Sequence, residues 1–497
     1  MAPDIAVWHR DDLRVSDNPA LAAASADGRV HPVFVFDPHF YESRRVCDAR
    51  LAFLHESLRQ LGAAYERRGG TLSLRHGDPR EVIPGLLDNA VDRVYVNATT
   101  TAGYARERDA TLADHDAVRM FEEDAIVRSG DSRDGWQQQA EAYFEADPHD
   151  PPEEVAGGIE SDTDIEHVAA EYDVSPSKER QYRGGCDRAR ERLEAFTADI
   201  DRYVGGISAP AAAERRTSHL SAYFKFGCLS LREAYQYVRE RGDHDRAVEM
   251  FTSRLFWNRH FTQKLADNSD ATRVAVNPVF RGMNRESHDP ELVAAWKAGE
   301  TGFPMVDASM RALRETGWLN FRMRAMCASF YTYILRCWWK EGADWFYRHL
   351  IDADPAINYQ QWQMQSGLVG VHPLRIYNPR KQVRENDPDG EFIRTYVPEL
   401  ADLPTTFLDD PSKAPLSVQD DHGVRIGEDY PYPVVDFERR RREARETWAA
   451  LDDRAREALQ DPDIRRRASL SQRRDSDRRD GSSGGRAGQA TLDDFGG

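Results

Sequence analysis

Residues 302–324 read GFPMVDASMRALRETGWLNFRMR, residues 338–363 read WWKEGADWFYRHLIDADPAINYQQWQ, and residues 375–379 read RIYNP. These pieces decide the fold of the larger part of the chain. They lie in a strongly helical region that opens at residues 186–203 and runs to about residue 452. Within them an arginine, two aspartates, an asparagine and two tryptophans stand out: Arg324, Asp352, Asp354, Asn358, Trp339 and Trp362.

Upstream the pattern changes. Residues 5–8, 30–36, 72–74 and 94–96 are short apolar runs, and residues 50–68 between them carry Leu51, Leu54, Leu58 and Leu61 at helical spacing. Strands alternating with helices predict a parallel sheet. No GxGxxG follows the first strand, so the usual dinucleotide fingerprint is absent. From about residue 129 acidic residues, Pro and Gly crowd in, as in EADPHDPPEEVAGGIESDTD. This reads as a long, partly ordered connection. The end of the sequence, with RRRASLSQRRDSDRRDGSSGGRAGQ, reads as a disordered tail. The expected architecture is α/β plus all-α. Residues 1–130 form a Rossmann-like parallel-sheet domain, 131–185 a linker, 186–457 a helical domain and 458–497 the tail.

The 497 residues carry a net charge of -18, from 85 acidic against 67 basic residues, and seven of the basic residues are lysine. An acidic, lysine-poor surface suits a salt-rich cytoplasm, where screening removes self-repulsion. The balance argues against a generic nucleic-acid surface but leaves room for a local arginine face. Arg254, Arg259, Arg281, Arg285, Arg322 and Arg324 could supply it. The five cysteines show no CxxC spacing, which argues against zinc and for a reducing compartment. No signal peptide or membrane span is read, so the expected location is the cytoplasm.

The order and spacing of these pieces resemble the flavin-binding helical domain of the DNA photolyase/cryptochrome family, as a divergent prokaryotic, haloarchaeal-type member. VWHRDDLRVSDNPAL at residues 7–21 is similar to the family's opening motif, although Arg10, Asp12 and Arg14 could equally form a structural ion-pair loop. RRTSHLSAYFKFGCLS at residues 215–230 is similar to GTSxLSxxLxxGxLS, with Arg216 in place of the leading glycine. The resemblance implies that Thr217, Ser218 and Ser221 hold the diphosphate of FAD, with Tyr203 as an upstream contact; helix capping is the alternative for the hydroxyls. It implies that Arg324 and Asp352 flank the isoalloxazine, Asp354 meets its pyrimidine edge and ribityl region, and Asn358 faces the reactive ring nitrogen. For Arg324 and Asp352 the alternative is an interhelix salt bridge. A folate or a deazaflavin is the implied antenna in the N-terminal domain.

Trp362 and Trp339 align with the inner and middle members of the family's electron relay, with core packing as the alternative. The outer member is replaced by Glu286. The residues that hold a cyclobutane dimer in the family also depart. Arg254 stands for a glutamate, Phe321 for an asparagine, Met364 for a second tryptophan and Asn320 for a histidine, while Trp257 is kept. Arg254, Trp257, Arg322 and Met364 are thus the expected DNA-facing residues. The resemblance implies light-driven repair of pyrimidine photoproducts in DNA, with a cryptochrome-type light sensor as the alternative, and a monomer. Residues 489–497, QATLDDFGG, resemble the box that binds the replication sliding clamp, with Gln489, Leu492 and Phe495 as anchors and Gly496 where a second aromatic is usual.

Overall fold

The computed structural model describes residues 2–128, 135–155, 157–178, 182–242, 245–371 and 374–468. Gln489, Leu492 and Phe495 lie outside the described residues. Five strands, β1 (Asp4–His9), β2 (Arg29–Phe36), β3 (Ser73–His76), β4 (Arg93–Asn97) and β5 (Val118–Phe121), pair in parallel in the order β3-β2-β1-β4-β5. The sequence predicts the first four. β5 is short, half-buried and interrupted by Arg119, so it carries no apolar signal of its own; pairing of Val118 with Val94 makes it a strand.

Side chains alternate across the sheet, as a pleated strand requires. Ala6, Trp8, Val94 and Val96 pack with Ile83 and Leu86 of the helix Pro79–Asn89. On the other face Ile5, Val7 and Tyr95 share a core with Leu54, Leu58 and Leu61 of the helix Asp48–Glu66. That core continues into Tyr223, Phe226 and Leu229 of the helical region. One helix is therefore packed between the sheet and the helical domain, and the apolar core crosses the seam.

The seam's polar contacts come from the segment after β1. The Leu13 amide donates to Phe226 O at 3.1 Å, and Arg14 donates to Gly227 O at 3.1 Å. Asp17, fully buried, accepts from Ser230 Oγ and from the buried Arg232 guanidinium. Removing one partner of such a pair costs about 3–5 kcal/mol, because a buried charge is left alone. Gly227 has φ +63°, and a Cβ there would stand 2.2 Å from Asp11 O. Only glycine lets the two backbones approach this closely. The structure thus gives Arg14 and Asp17 docking roles. Arg10 pairs with Asp109 at 2.7 Å, and Asp12 is bound by the Arg10 amide and the Asn97 amide group.

The segment expected as a linker carries two helices, Trp136–Glu145 and Ile165–Glu171. Trp136 stands edge-on to His260 at 5.6 Å and Phe144 meets Phe256 at 4.5 Å, which ties the first helix to the long helix Arg246–Asp267. Lys178 donates to Leu313 O at 3.1 Å and Arg314 O at 2.6 Å, covering the last carbonyls of the helix Pro304–Thr316. The expected tail needs a correction at its start. Residues up to Ala458 complete the helix Phe437–Ala458, and Pro462–Ala468 forms another. Asp461 caps that helix through the Asp463 amide at 2.8 Å, and Ala468 is buried against Ala271, Val276 and Val369. One small buried residue among arginines gives no compositional signal. Among the described residues no helix is long and apolar enough to cross a membrane.

Candidate active site

Asp354 and Pro355 start the helix Pro355–Gln365. Proline at the first helical position has its φ preset, and Asp354 caps by accepting from the Ala356 amide at 2.8 Å and the Ile357 amide at 3.2 Å. Asn358 and Trp362 follow at four-residue steps, on one face of that helix. Asn358 is buried and donates to Ala343 O at 3.0 Å. Lys225 reaches Asp354 at 3.5 Å and Asp11, on the loop after β1, at 3.6 Å. Burial opposes charge on Lys225, but the two carboxylates outweigh it and raise its pKa. Asp352 accepts twice from Arg324, at 2.9 and 3.1 Å, while Arg324 Nε donates to Leu319 O at 2.8 Å. The pair joins the helix Phe321–Ser329 to the turn before Asp354.

Trp362 is 3% exposed, and its ring meets Phe346 at 5.2 Å, Tyr331 at 5.8 Å and Trp296 at 6.1 Å. A π-turn at Phe330–Ile334 presents Tyr331 to this cluster. Gly342 makes room for it, because a Cβ there would lie 2.5 Å from the Trp362 ring. Trp339 is buried at the start of the helix Trp339–His349 and is not among the rings that touch Trp362. Trp296 and Tyr331, which do touch it, are 66 and 31 residues away in sequence, too far for spacing to reveal the contact.

The hydroxyl end is a bend between two short helices. Thr217 Oγ1 donates back to Ala213 O at 2.7 Å, and Ser218 Oγ accepts from the Leu220 amide at 3.4 Å. His219 between them has φ +51°. Its ring is held by Tyr182 Oη at 2.6 Å and Glu214 O at 2.8 Å and leans on Trp318 at 4.5 Å. Ser221 and Asp352 line one small cavity with Tyr182, His219, Ala222, Gly317, Trp318 and Ile351. Two sequence sets 131 positions apart thus face one space. Its lining supplies the kinds of group a flavin nucleotide would meet, the Tyr182 and Ser221 hydroxyls and the Asp352 carboxylate beside an apolar wall of Trp318, Ile351 and Ala222, around a space of about 10 Å³, room for one water. Sequence reasoning missed Tyr182, His219, Trp318 and Lys225; the TSHLS run held His219 in view without showing its bend.

The expected DNA-facing residues divide. Arg254 stands near Tyr203, where its charge partly offsets the burial that raises the phenol's pKa, and Tyr203 itself packs on Phe196 and Phe251. Trp257 meets His260 at 5.3 Å and Phe261 at 5.8 Å and, like Met364 and Ile357, packs against the buried cluster of Phe261, Leu265 and Ala356. Arg322 donates to Ser208 Oγ at 3.1 Å. Asn320 caps its helix and donates to Ile207 O and Ser208 O, both at 3.0 Å. Phe321 stands 42% exposed. At the carboxyl ends of the strands, where an open α/β sheet takes ligands, Tyr104 stacks on His39 at 3.9 Å and reaches Asp37 at 3.3 Å and Asp78 at 3.4 Å.

The pocket has a pH signature. Burial pushes His219 down to about 4, with Arg192 adding to the shift and the bond to Glu214 O and the charge of Asp352 opposing it. The folded form therefore holds His219 neutral while the unfolded chain protonates first. Its stabilising contribution is full above about pH 6.5 and is lost as pH falls toward about 4, on the order of 3 kcal/mol. His55 and His349 are pushed down to about 4 and about 3 by burial and add to the same loss. Denaturant midpoints at pH 7, 5 and 4 should fall less steeply for His219→Gln than for the parent; equal slopes would remove His219 from the titration.

The description "DNA photolyase" matches residues 5–143, and "FAD binding domain of DNA photolyase" matches residues 251–450. A deoxyribodipyrimidine photo-lyase of Halobacterium salinarum is 31% identical over 496 residues, covering 90% of this chain and 98% of its own. A cryptochrome DASH of Natronomonas pharaonis is 32% identical, covering 87% and 98%. In three dimensions the chain is similar to a class III photolyase of Agrobacterium tumefaciens, with TM-score 0.78, 28% identity and coverage of 91% and 98%. The chain belongs to the DNA photolyase/cryptochrome family, as an FAD-dependent, photolyase-like lyase.

Proposed function

We propose that this chain repairs pyrimidine photoproducts in DNA by light-driven electron transfer. The observation that supports this most is Ser221 sharing a cavity wall with the Arg324-bound Asp352, since both then face one bound nucleotide. Reduced FAD, when bound and illuminated, supplies one electron to the lesion and regains it after the bonds part. In this reading Tyr203, Thr217, Ser218 and Ser221 hold the diphosphate end, and Arg324, Asp352, Asp354 and Asn358 orient the isoalloxazine edge. Arg254, Trp257, Arg322 and Met364 line the side that receives the linked pyrimidines extruded from the damaged strand. Tyr104, His39, Asp37 and Asp78 at the carboxyl end of the sheet would hold a folate or deazaflavin antenna. The protein works in the cytoplasm as a monomer. The test is repair of an ultraviolet-irradiated oligonucleotide by the purified, chemically reduced protein, with and without blue light. Light-dependent loss of photoproducts and release of FAD on denaturation are expected. A protein that binds no flavin sinks the reading.

A second reading, a light sensor without repair, is favoured by the substituted lesion positions, Arg254 and Phe321 among them. It predicts bound FAD and no loss of photoproducts in the same assay.

Trp362 and Trp339 are read as electron donors toward the oxidised flavin. Trp362 sits on the Asn358 face of its helix, whereas Trp338 carries the Arg285 guanidinium 4.5 Å over its ring, which disfavours positive charge there. Trp362→Phe should slow photoreduction at least tenfold and Trp338→Phe hardly at all. Photoreduction at the parent rate in Trp362→Phe would remove the relay assignment.

Residues 489–497 are read as a tethered anchor for the sliding clamp, with Gln489 in a polar pocket and Leu492 and Phe495 in an apolar one. The preceding Gly/Ser-rich run would raise the local concentration of the enzyme at replicating DNA. A peptide of residues 486–497 should bind the clamp of the same organism weakly in its own salt. No binding, or binding that survives Leu492→Ala with Phe495→Ala, retires the idea.

A further inference from the structure

A cavity of about 140 Å³ lies where the sheet domain meets the first helix of the helical domain, and it shares no lining residue with the flavin pocket. One wall comes from Gln60 in the helix Asp48–Glu66, from Arg67 and Arg68 just after that helix, and from Ser16 on the loop after β1. The other comes from Asp187 and Arg190 in the helix Cys186–Ala198. Three guanidinium groups thus line one space against one carboxylate. The chain has 85 acidic residues for 67 basic ones, and nearby Arg183 and Arg188 pair with Glu56 and Glu191. Arg67, Arg68 and Arg190 make no ion pair among the described residues. Their partners are neutral. Arg68 donates through Nε to Pro152 O at 3.0 Å and through Nη1 to Ala64 O at 2.8 Å, and Arg190 donates to Ser16 Oγ at 3.2 Å. Gln60 spends its side-chain oxygen on the Asp187 amide at 3.0 Å. These bonds use up acceptors and leave donors: the Ser16 O–H, the Gln60 NH₂ group, Nη2 of Arg68 and the exposed guanidinium of Arg67.

We propose that this cavity binds a phosphate group, as inorganic phosphate or the terminal group of a phosphate monoester, and that the bound anion clamps the sheet domain to the helical domain. Three like charges around one space repel, and an anion among them removes the repulsion. Guanidinium forks match the oxygens of a phosphate two at a time. The start of the helix Cys186–Ala198 adds its positive dipole end on the same side. Size narrows the ligand. The cavity exceeds the roughly 30 Å³ share of one water and falls short of the roughly 300 Å³ at which pockets for whole small molecules begin. A phosphate group enters, and a nucleotide base stays outside. Asp187 is the one opposing charge and weakens the hold. Ser16 directly precedes Asp17, whose carboxylate is buried at the seam with Arg232. An anion held by both walls binds only the docked arrangement, so it stabilises that arrangement by mass action.

The experiment titrates the full chain, with FAD bound, with inorganic phosphate and separately with glycerol phosphate, at constant ionic strength in potassium chloride, and follows binding by calorimetry. One saturable site is expected, and the tighter of the two probes tells the free ion from the monoester. Arg67→Gln with Arg190→Gln should weaken binding by about tenfold or more, since two charge-assisted bonds are lost, and should leave flavin content unchanged. Asp187→Asn should tighten binding, a gain that a damaged fold would not give. The parent's melting temperature should rise with phosphate more than that of the double variant. No saturable binding of either probe by the parent overturns the proposal. So does parent-like affinity in the double variant, or an Asp187→Asn protein that binds no more tightly than the parent.

Discussion

The molecule is organised around a buried carboxylate at a domain seam. Asp17 comes from the loop after the first strand, and its ligands, Ser230 and Arg232, come from the helical region more than two hundred residues later. Neither charge is tolerable in the interior without the other, so the pair fixes one docking of the sheet on the helices. Gly227 admits the approach, and the core that runs from Leu54 and Leu58 into Tyr223 and Phe226 supplies the apolar area that makes it stable. The site depends on this docking, because Lys225 joins Asp11 of the sheet domain to Asp354 at the head of the helix that bears Asn358 and Trp362.

The same logic recurs at the polar edge of the pocket. Arg324 and Asp352 satisfy each other at close range, and Arg324 spends its Nε on Leu319 O. The pair is thus both an interhelix salt bridge and a pre-aimed polar edge, and the two readings of it in the sequence are one structure. The hydroxyls at 217–221 are similar. Thr217 and Ser218 make local capping-type bonds, while Ser221 also lines the cavity. A group can end a helix and face a ligand at once, because orphan amides and carbonyls at helix ends are what polar ligands seek.

Helix starts are set by residues adjacent in the chain. Asn18-Pro19, Asp78-Pro79, Asp289-Pro290, Asp354-Pro355 and Asn378-Pro379 each place an acceptor side chain over the first helical amides and a proline at the first helical position. These are local chemistry and need no tertiary contact. The strands β1, β2 and β4 were readable for a related reason, since burial on both faces forces continuous hydrophobic runs, whereas β3, Ser73–His76, is half-buried and its apolar signal came from Leu72 and Leu74. β5 and the helix Pro462–Ala468 were not, because β5 is held by pairing with β4 along four residues and the helix by Ala468 packing on Ala271, Val276 and Val369, rather than by a pattern of their own.

The sequence by itself determined the helix starts, the parallel-sheet class, the order of the flavin-domain pieces and the substitution of the lesion-reading positions. All of these are properties of residues close together in the chain or of fixed spacings between them. Only the tertiary structure decided that Trp362 touches Trp296, Tyr331 and Phe346 rather than Trp339, that Arg254 stands near Tyr203, and that Phe321 stays exposed. It also decided that Arg14 docks two domains, a choice the sequence left open, and that Asp17 joins it there. Each of these depends on how distant elements pack. Side-chain contacts range over a few ångströms, and nothing in local spacing encodes which remote surface comes within that reach.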